Sequence, residues 1–158
     1  MTDILAYHIV WTMYGTWLPG DWRSWVKKRI WGIFPPDPDI ERQARERMAE
    51  PMVLLTDEQR AIVERTIADH CRIRGWTLHA VNAQANHVHV VVTADCDPEG
   101  VRDQFKAWCS RKLSDAAGLT EIVAEGAGRR RWFTESGDAE IIDTEEYLRN
   151  AIRYVKNQ

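Results

Sequence analysis

Residues 86–92 read Asn-His-Val-His-Val-Val-Val, a run in which valines follow and separate two histidines. β-branched side chains favour strands, and successive side chains of a strand point to opposite faces of the sheet. His87 and His89 are therefore predicted to share one face, while alternate valines point to the other. Two imidazoles side by side are half of a metal site, although such a pair alone is more often an ordinary strand.

Other segments have the aromatic and β-branched composition of strands. Residues 5–13 are predicted to form the first strand. Residues 76–81 alternate in the manner of a second strand, which makes a hairpin with 86–92. Residues 131–134 and 140–142 are expected to form a closing hairpin around a Ser-Gly-Asp turn. These segments predict an antiparallel sheet.

Two long helices are predicted between the strands. Thr56 begins a capping box, and the helix behind it continues to Arg74. Pro98 suits the first turn of a second helix, in which the spacing places both Phe105 and Trp108 in the core. The order of strands and helices predicts an α+β fold, an antiparallel sheet with helices packed mainly on one face.

The composition is that of a globular protein of about one domain. The chain has 158 residues, of which 44% are hydrophobic and 28% charged. No apolar run approaches the ~18 residues of a membrane span, and the N-terminus lacks the basic and apolar regions of a signal peptide. The three cysteines form no Cys-x-x-Cys pair, which favours buried thiols in a reducing cytoplasm over a zinc site.

The net charge of −3 argues against a uniformly basic nucleic-acid binder. Basic residues nevertheless cluster locally, and such clusters supply phosphate contacts on an otherwise acidic molecule. The candidate DNA-binding residues are Lys27, Lys28, Lys106, Arg111, Arg129, Arg130 and Arg131.

Residues 20–55 are predicted to be an irregular insertion rich in tryptophan and proline, with a short polar helix near its end. Aromatic residues among lysines and arginines stack bases and neutralise phosphates in many single-strand binders. Tryptophans are also mostly buried in folded proteins, so these side chains equally well cover one edge of the core. The sequence leaves both interpretations open.

The last helix carries two stripes. Leu148, Ala151, Ile152 and Val155 form an apolar stripe for the core. Tyr147, Tyr154 and Gln158 form a second stripe about a quarter turn away. A tyrosine at the border of a buried face is usually only amphipathic packing.

Taken together, these motifs resemble a known family. The Asn-His-Val-His run with its valines, the C-terminal Tyr-x-x-x-Gln and the phrase Tyr-Gly-Thr-Trp-Leu-Pro-Gly-Asp at 14–21 resemble the HUH single-tyrosine transposases. The similarity is greatest to the REP-associated tyrosine transposase group. The resemblance implies a ferredoxin-like sheet and an enzyme that nicks and joins single-stranded or hairpin DNA.

The resemblance also implies a role for each site residue. His87, His89 and Gln158 would bind one divalent cation, Mg²⁺ or Mn²⁺, and Tyr154 would attack a DNA phosphodiester to form a covalent phosphotyrosine. A free phenol, with a pKa of about 10, is a poor nucleophile at neutral pH and needs a Lewis acid at the phosphate. Tyr147 lies on the same stripe and stays open as an alternative nucleophile.

Two other functions compete with this one. A non-catalytic DNA-binding module of the same fold would serve as a repressor or architectural factor. An RNA-binding ferredoxin-like module would expose aromatic residues on its central strands, and residues 87–92 contain none. We expect a monomer, with a homodimer as the alternative, because the sequence shows no apolar stripe that requires a partner.

Overall fold

The predicted histidine-bearing strand lies at the centre of a four-stranded sheet. The computed structural model describes residues 3–27, 30–48, 50–118 and 131–158. Its elements in chain order are β1 (Ala6–Thr12), β2 (Trp25–Lys27), β3 (Ile30–Phe34), α1 (Pro38–Glu46), α2 (Asp57–Arg74), β4 (Thr77–Ala83), β5 (His87–Thr93), α3 (Pro98–Ala116), β6 (Asp138–Ile142) and α4 (Glu145–Lys156).

The main sheet has the strand order β4-β5-β1-β6, and every pair in it is antiparallel. Helix α2 precedes the β4–β5 hairpin and α3 connects β5 to β6, so each long helix returns the chain across the sheet. This is a ferredoxin-like arrangement, and the predicted α+β fold is confirmed. Among the described residues, no helix is both long and apolar enough to cross a membrane.

One face of the sheet packs on α2 and α3. The valines at alternate positions of β5 meet Ile9 and Trp11 of β1, and these strands cover Ile67 of α2 and Phe105 of α3. All are almost completely buried, as the alternation of β5 predicts. Trp108 is an exception to the prediction: its side chain is 41% exposed and lies under the guanidinium of Arg111, 4.8 Å from the ring centroid.

The opposite face packs on α4. Ala151 and Val155 of this helix are buried against a small cluster formed with Ala6, Ala80, Val91 and Ile142. Leu148 and Ile152 pack at the border of the cluster, which confirms the predicted apolar stripe. Thr144 caps the helix, with its hydroxyl accepting the backbone N–H of Tyr147.

The predicted closing hairpin is wrong. Phe133 forms an isolated antiparallel bridge with Met13, and β6 continues in the same direction along β1, with Asp138 opposite Val10. Gly137 explains why the chain bulges here and does not reverse. Its φ is 141°, and a Cβ at this position would lie 2.6 Å from the carbonyl oxygen of Val10, so only glycine permits this close approach.

The predicted irregular insertion contains regular structure. Strands β2 and β3 form a separate two-stranded sheet, and α1 comes after them with Asp37 as its N-cap. Trp25 stacks on Phe34 at a centroid distance of 4.9 Å. Trp22 and Trp31 are 76% and 100% exposed, so these two side chains do not cover the core.

Candidate active site on the histidine face

His87 and His89 lie on the α4 side of the sheet, as the alternation of β5 predicts. Their ring centroids are 4.8 Å apart and the rings are nearly perpendicular, with an interplanar angle of 86°. His89 is buried and His87 is half-buried. The backbone of this strand is held in place because Val88 and Val90, which point to its other face, are buried in the core.

His8 of β1 is a third histidine on this face, and the sequence analysis did not include it. Its Nε2 lies 3.2 Å from Nδ1 of His89, and the two rings stack with centroids 5.4 Å apart. The register pairs His89 with Val10, which makes His8 the diagonal neighbour on the same face. Identifying His8 as part of the cluster requires knowledge of the β1–β5 pairing, and no local sequence motif predicts that pairing.

Each of the two predicted histidine ligands has its Nδ1 atom occupied. Nδ1 of His87 lies 2.6 Å from Oδ1 of Asn86, and because an amide oxygen only accepts, Nδ1–H is the donor. Nδ1 of His89 shares one hydrogen bond with His8. Metal-binding histidines typically use one ring nitrogen for the ion and the other for a partner of this kind.

Burial keeps this histidine cluster neutral. It lowers the pKa of His8 and His87, and for His87 the charge of Arg23 lowers it further. Burial lowers the pKa of His89 to about 4, with added repulsion from the charged forms of His87 and His8. At neutral pH all three imidazoles are therefore uncharged, which is the state that binds metal ions.

Tyr154 is the tyrosine that α4 brings to the histidines. Its ring centroid lies 5.6 Å from that of His89 and 6.2 Å from that of His8. The residue is 53% exposed, so part of it is accessible to a large substrate. Tyr147 instead donates its hydroxyl to the carboxylate of Glu140 at 2.6 Å, and this hydrogen bond raises its pKa. Tyr154 is therefore the α4 tyrosine that lies beside the histidines, and its role as the nucleophile stays a prediction.

Asn82 fixes the end of α4 above the histidines. It lies on β4 directly opposite His89. Its Nδ2 donates to the carbonyl oxygens of Val155 at 2.9 Å and Gln158 at 3.3 Å, and its Oδ1 accepts from Gln84 at 2.7 Å. The last carbonyls of a helix lack partners within the helix, so this amide both satisfies them and positions Tyr154. No sequence motif points to Asn82, because the α4 groups that it binds are backbone carbonyls.

Gln158 does not contact the histidines through its side chain. Its Nε2 donates to the carbonyl oxygen of Tyr154 at 3.1 Å. Within the described ranges, no group of three or more His, Cys, Asp or Glu residues is arranged to hold a metal ion. The role of Gln158 as the third ligand therefore stays a prediction.

The predicted DNA-binding residues that the structure describes are not confined to one element of the fold. Lys106 donates to the carbonyl oxygens of Thr134 and Ser136, both at 2.7 Å, and burial lowers its pKa to about 8. Arg111 lies on α3, which packs against the face of the sheet opposite the histidines.

The remaining basic candidates divide between the described residues and those outside them. The guanidinium of Arg131 lies 6.0 Å from the ring centroid of Tyr14. Lys27 is the last residue of β2. Lys28, Arg129 and Arg130 lie outside the described residues. A role in DNA binding stays a prediction for all of the basic candidates.

The fold matches that of solved transposase structures. A candidate transposase from Deinococcus radiodurans R1 aligns over 100% of this chain and 93% of its own, with a TM-score of 0.54 and 15% identity. A REP-associated tyrosine transposase bound to a REP hairpin aligns over 98% of this chain and 66% of its own, with a TM-score of 0.53 and 11% identity. At these identities the likeness is one of fold, and it agrees with the family resemblance of the sequence. No protein-family model and no curated protein sequence matches the chain.

Proposed function

We propose that this protein is a transposase-type enzyme that nicks and rejoins single-stranded or hairpin DNA through Tyr154. The observation that carries the proposal is the placement of an exposed phenol beside a neutral histidine cluster on a rigid sheet. A nucleophile on one element beside a pair of candidate ligands on another suits metal-assisted phosphoryl transfer. The transposase fold of the two solved structures supports the same function.

The reaction is a transesterification. The Oη atom of Tyr154 forms a bond to phosphorus, and the bond from phosphorus to one deoxyribose oxygen breaks. The phenol loses its proton and the departing oxygen gains one, so this oxygen leaves as a hydroxyl. The number of phosphate ester bonds is unchanged, so a hydroxyl from another DNA end reverses the step without a nucleotide cofactor. The open position of the Tyr154 side chain suits a polymer that must enter and leave.

His87, His89 and Gln158 are the residues that would hold a divalent cation. The two histidines fit this role because each is neutral at pH 7 and has its Nδ1 in a hydrogen bond with a neighbour, and the Nδ1–H of His87 leaves the Nε2 of that ring unprotonated. Two imidazoles and an amide oxygen are a mixed set that suits Mn²⁺ at least as well as Mg²⁺. When bound, such an ion supplies Lewis acidity that stabilises negative charge on the phosphate.

The protein's own contribution is orientation. Asn82 holds the end of α4, so Tyr154 approaches the histidines from a fixed direction. His8 contacts Nδ1 of His89 and Asn86 contacts Nδ1 of His87, so both rings are held through the same ring nitrogen. Positioning of this kind contributes a large part of the rate in phosphoryl transfer.

The test is the formation of a covalent adduct. Purified protein is incubated with end-labelled hairpin DNA that carries single-stranded flanks, in Mg²⁺ or Mn²⁺, and the products are separated on a denaturing gel. We expect a labelled band at the size of protein plus DNA. His87→Ala and His89→Ala should each abolish it, while circular dichroism shows an unchanged fold because neither imidazole is part of the apolar core.

The same assay separates this function from the non-catalytic alternative. A DNA-binding module would retard the labelled hairpin on a native gel yet form no denaturant-resistant band at any metal concentration. Adduct formation at the parental rate in both histidine variants would overturn the site.

A further inference from the structure

Three residues next to the histidine face form a compact group of two rings and one cation. Trp17, Trp22 and Arg23, here called the Trp–Arg cluster, come after β1 in the chain. The Cζ atom of Arg23 lies 4.0 Å from the ring centroid of Trp17 and 6.0 Å from that of Trp22. None of the three belongs to the apolar core.

Arg23 is held in place by its neighbours. Its Nε and Nη2 atoms donate to the two carboxylate oxygens of Asp21 at 2.8 and 2.7 Å, and Nη2 also reaches the carbonyl oxygen of Thr16 at 2.5 Å. Asp21 is buried, and the hydrogen bonds from Arg23 lower the pKa of its carboxyl. The charge of Arg23 is therefore already paired, and the guanidinium serves as a rigid plane beside the rings.

Both tryptophan side chains are exposed to solvent. Trp17 is 40% exposed and is fixed by a hydrogen bond from its Nε1 to the carbonyl oxygen of Ser24 at 2.8 Å. Trp22 is 76% exposed. Leaving two large apolar rings in water is unfavourable, and a grouped exposed apolar surface is characteristic of binding sites.

The cluster is connected directly to the predicted ligand strand. The Thr16 hydroxyl donates to the carbonyl oxygen of Met13 at 2.7 Å and lies 3.4 Å from that of Asn86. Asn86 holds His87 through its side chain. The chain of contacts from Arg23 through Thr16 and Asn86 to His87 therefore places the rings beside the candidate active site.

We propose that the Trp–Arg cluster is a stacking site for an unpaired base of the DNA strand, next to the phosphate that Tyr154 attacks. This inference rests on the proposed function. A base is favoured over a phosphate because Asp21 neutralises the only cation of the cluster, whereas Trp22 is 76% exposed. Stacking on aromatic rings tolerates any base and requires single-stranded DNA, because paired bases have no free face.

The test measures binding without chemistry. Fluorescence anisotropy reports the binding of a labelled single-stranded oligonucleotide of mixed sequence, and of the same sequence as a duplex, in EDTA so that no cleavage takes place. The variants are Trp22→Ala and Trp22→Phe. Trp108→Ala is the matched control, because Trp108 is also a partly exposed tryptophan beneath an arginine but lies on α3, across the sheet.

Trp22→Ala should weaken single-strand binding about tenfold, the effect of losing roughly one stacked base. Trp22→Phe should retain most of the affinity, and Trp108→Ala should bind like the parent. The slope of affinity against salt should be the same in Trp22→Ala and the parent, because no phosphate contact is lost. Duplex binding should be unchanged in all variants.

Two outcomes would overturn the stacking site. One is parental single-strand affinity in Trp22→Ala, and the other is an equal loss in Trp108→Ala. If Trp22→Ala loses single-strand affinity as expected but the parent protein never forms an adduct, the proposed function is contradicted. The stacking of a base on Trp22 would still stand. The two failures are therefore distinguishable.

Discussion

The two faces of the central sheet differ in what they bury. One face is continuously apolar and lies under two long helices, and the side chains that it contributes are almost wholly excluded from water. The other face is apolar only where α4 touches it, and the remainder carries His8, His87, His89 and Asn82. Strand β5 belongs to both faces, so the packing that stabilises the fold also immobilises the two histidines. Substitutions on the two faces should therefore affect different properties, stability on the apolar face and chemistry on the histidine face.

Replacing Tyr154 with Phe should eliminate the covalent adduct completely. The substitution removes only the attacking oxygen and keeps the ring beside His89. Binding of single-stranded DNA and the thermal midpoint should be unchanged. The measurement is the denaturing-gel assay, with Tyr147→Phe as the matched control that should still form an adduct. Mapping the modified peptide to Tyr147 would refute the assignment.

Replacing Phe105 with Ala should destabilise the protein by about 3–5 kcal/mol, since it leaves a cavity under the apolar face. Urea unfolding monitored by fluorescence measures this loss. Trp108→Ala, three residues along the same helix, should cost far less because its ring is partly exposed. Equal losses in the two variants would show that α3 does not bury Phe105 against the sheet.

Replacing His8 with Ala should weaken metal binding by His87 and His89 about 10–100-fold, the typical effect of losing a partner behind a ligand. His8→Gln should recover part of this affinity, because its side-chain amide can either donate to Nδ1 of His89 or accept from it. Titration with Mn²⁺ gives the affinity. Nitrogen NMR of the metal-free protein shows whether the tautomer of His89 changes. An unchanged tautomer and affinity in His8→Ala would remove His8 from the site.

The smallest expected difference between the faces is in the reactivity of the three cysteine thiols. Cys71 and Cys109 are buried in the apolar face, and burial raises the pKa of Cys71 to about 11. Neither should react with an aromatic disulfide reagent in the native protein, whereas the half-buried Cys96 should. All three should react in denaturant. Rapid modification of more than one thiol in the native state would show that this face is open.

Much of the fold was predictable because local signals agreed with the tertiary structure. The capping box at Thr56 and the glycine at position 75 place both ends of α2. The alternation of residues 87–92 predicts which side chains face the core. The closing hairpin failed because the sequence of residues 131–142 shows a turn but not the contact of Gly137 with Val10 that changes it into a bulge.

The candidate site was predictable only where its residues form a motif. His87, His89 and Tyr154 belong to short patterns, and the structure brings them together. His8 and Asn82 belong to no pattern, because their partners lie on neighbouring strands or on the backbone of α4. Such residues become visible only when strand register is known, since register decides which side chains meet.

The shallow attachment of α4 has a consequence for the fate of a DNA end after cleavage. Only Ala151 and Val155 of this helix are buried, whereas α2 buries five residues. Helices with little buried surface open locally at lower free energy than the rest of a protein, and their amide protons exchange sooner. A strand of DNA attached to Tyr154 would therefore be tethered to a helix that opens at lower free energy than α2, once the hydrogen bonds from Asn82 break. The cleaved end could move away from the histidines while the remainder of the protein stayed folded around them.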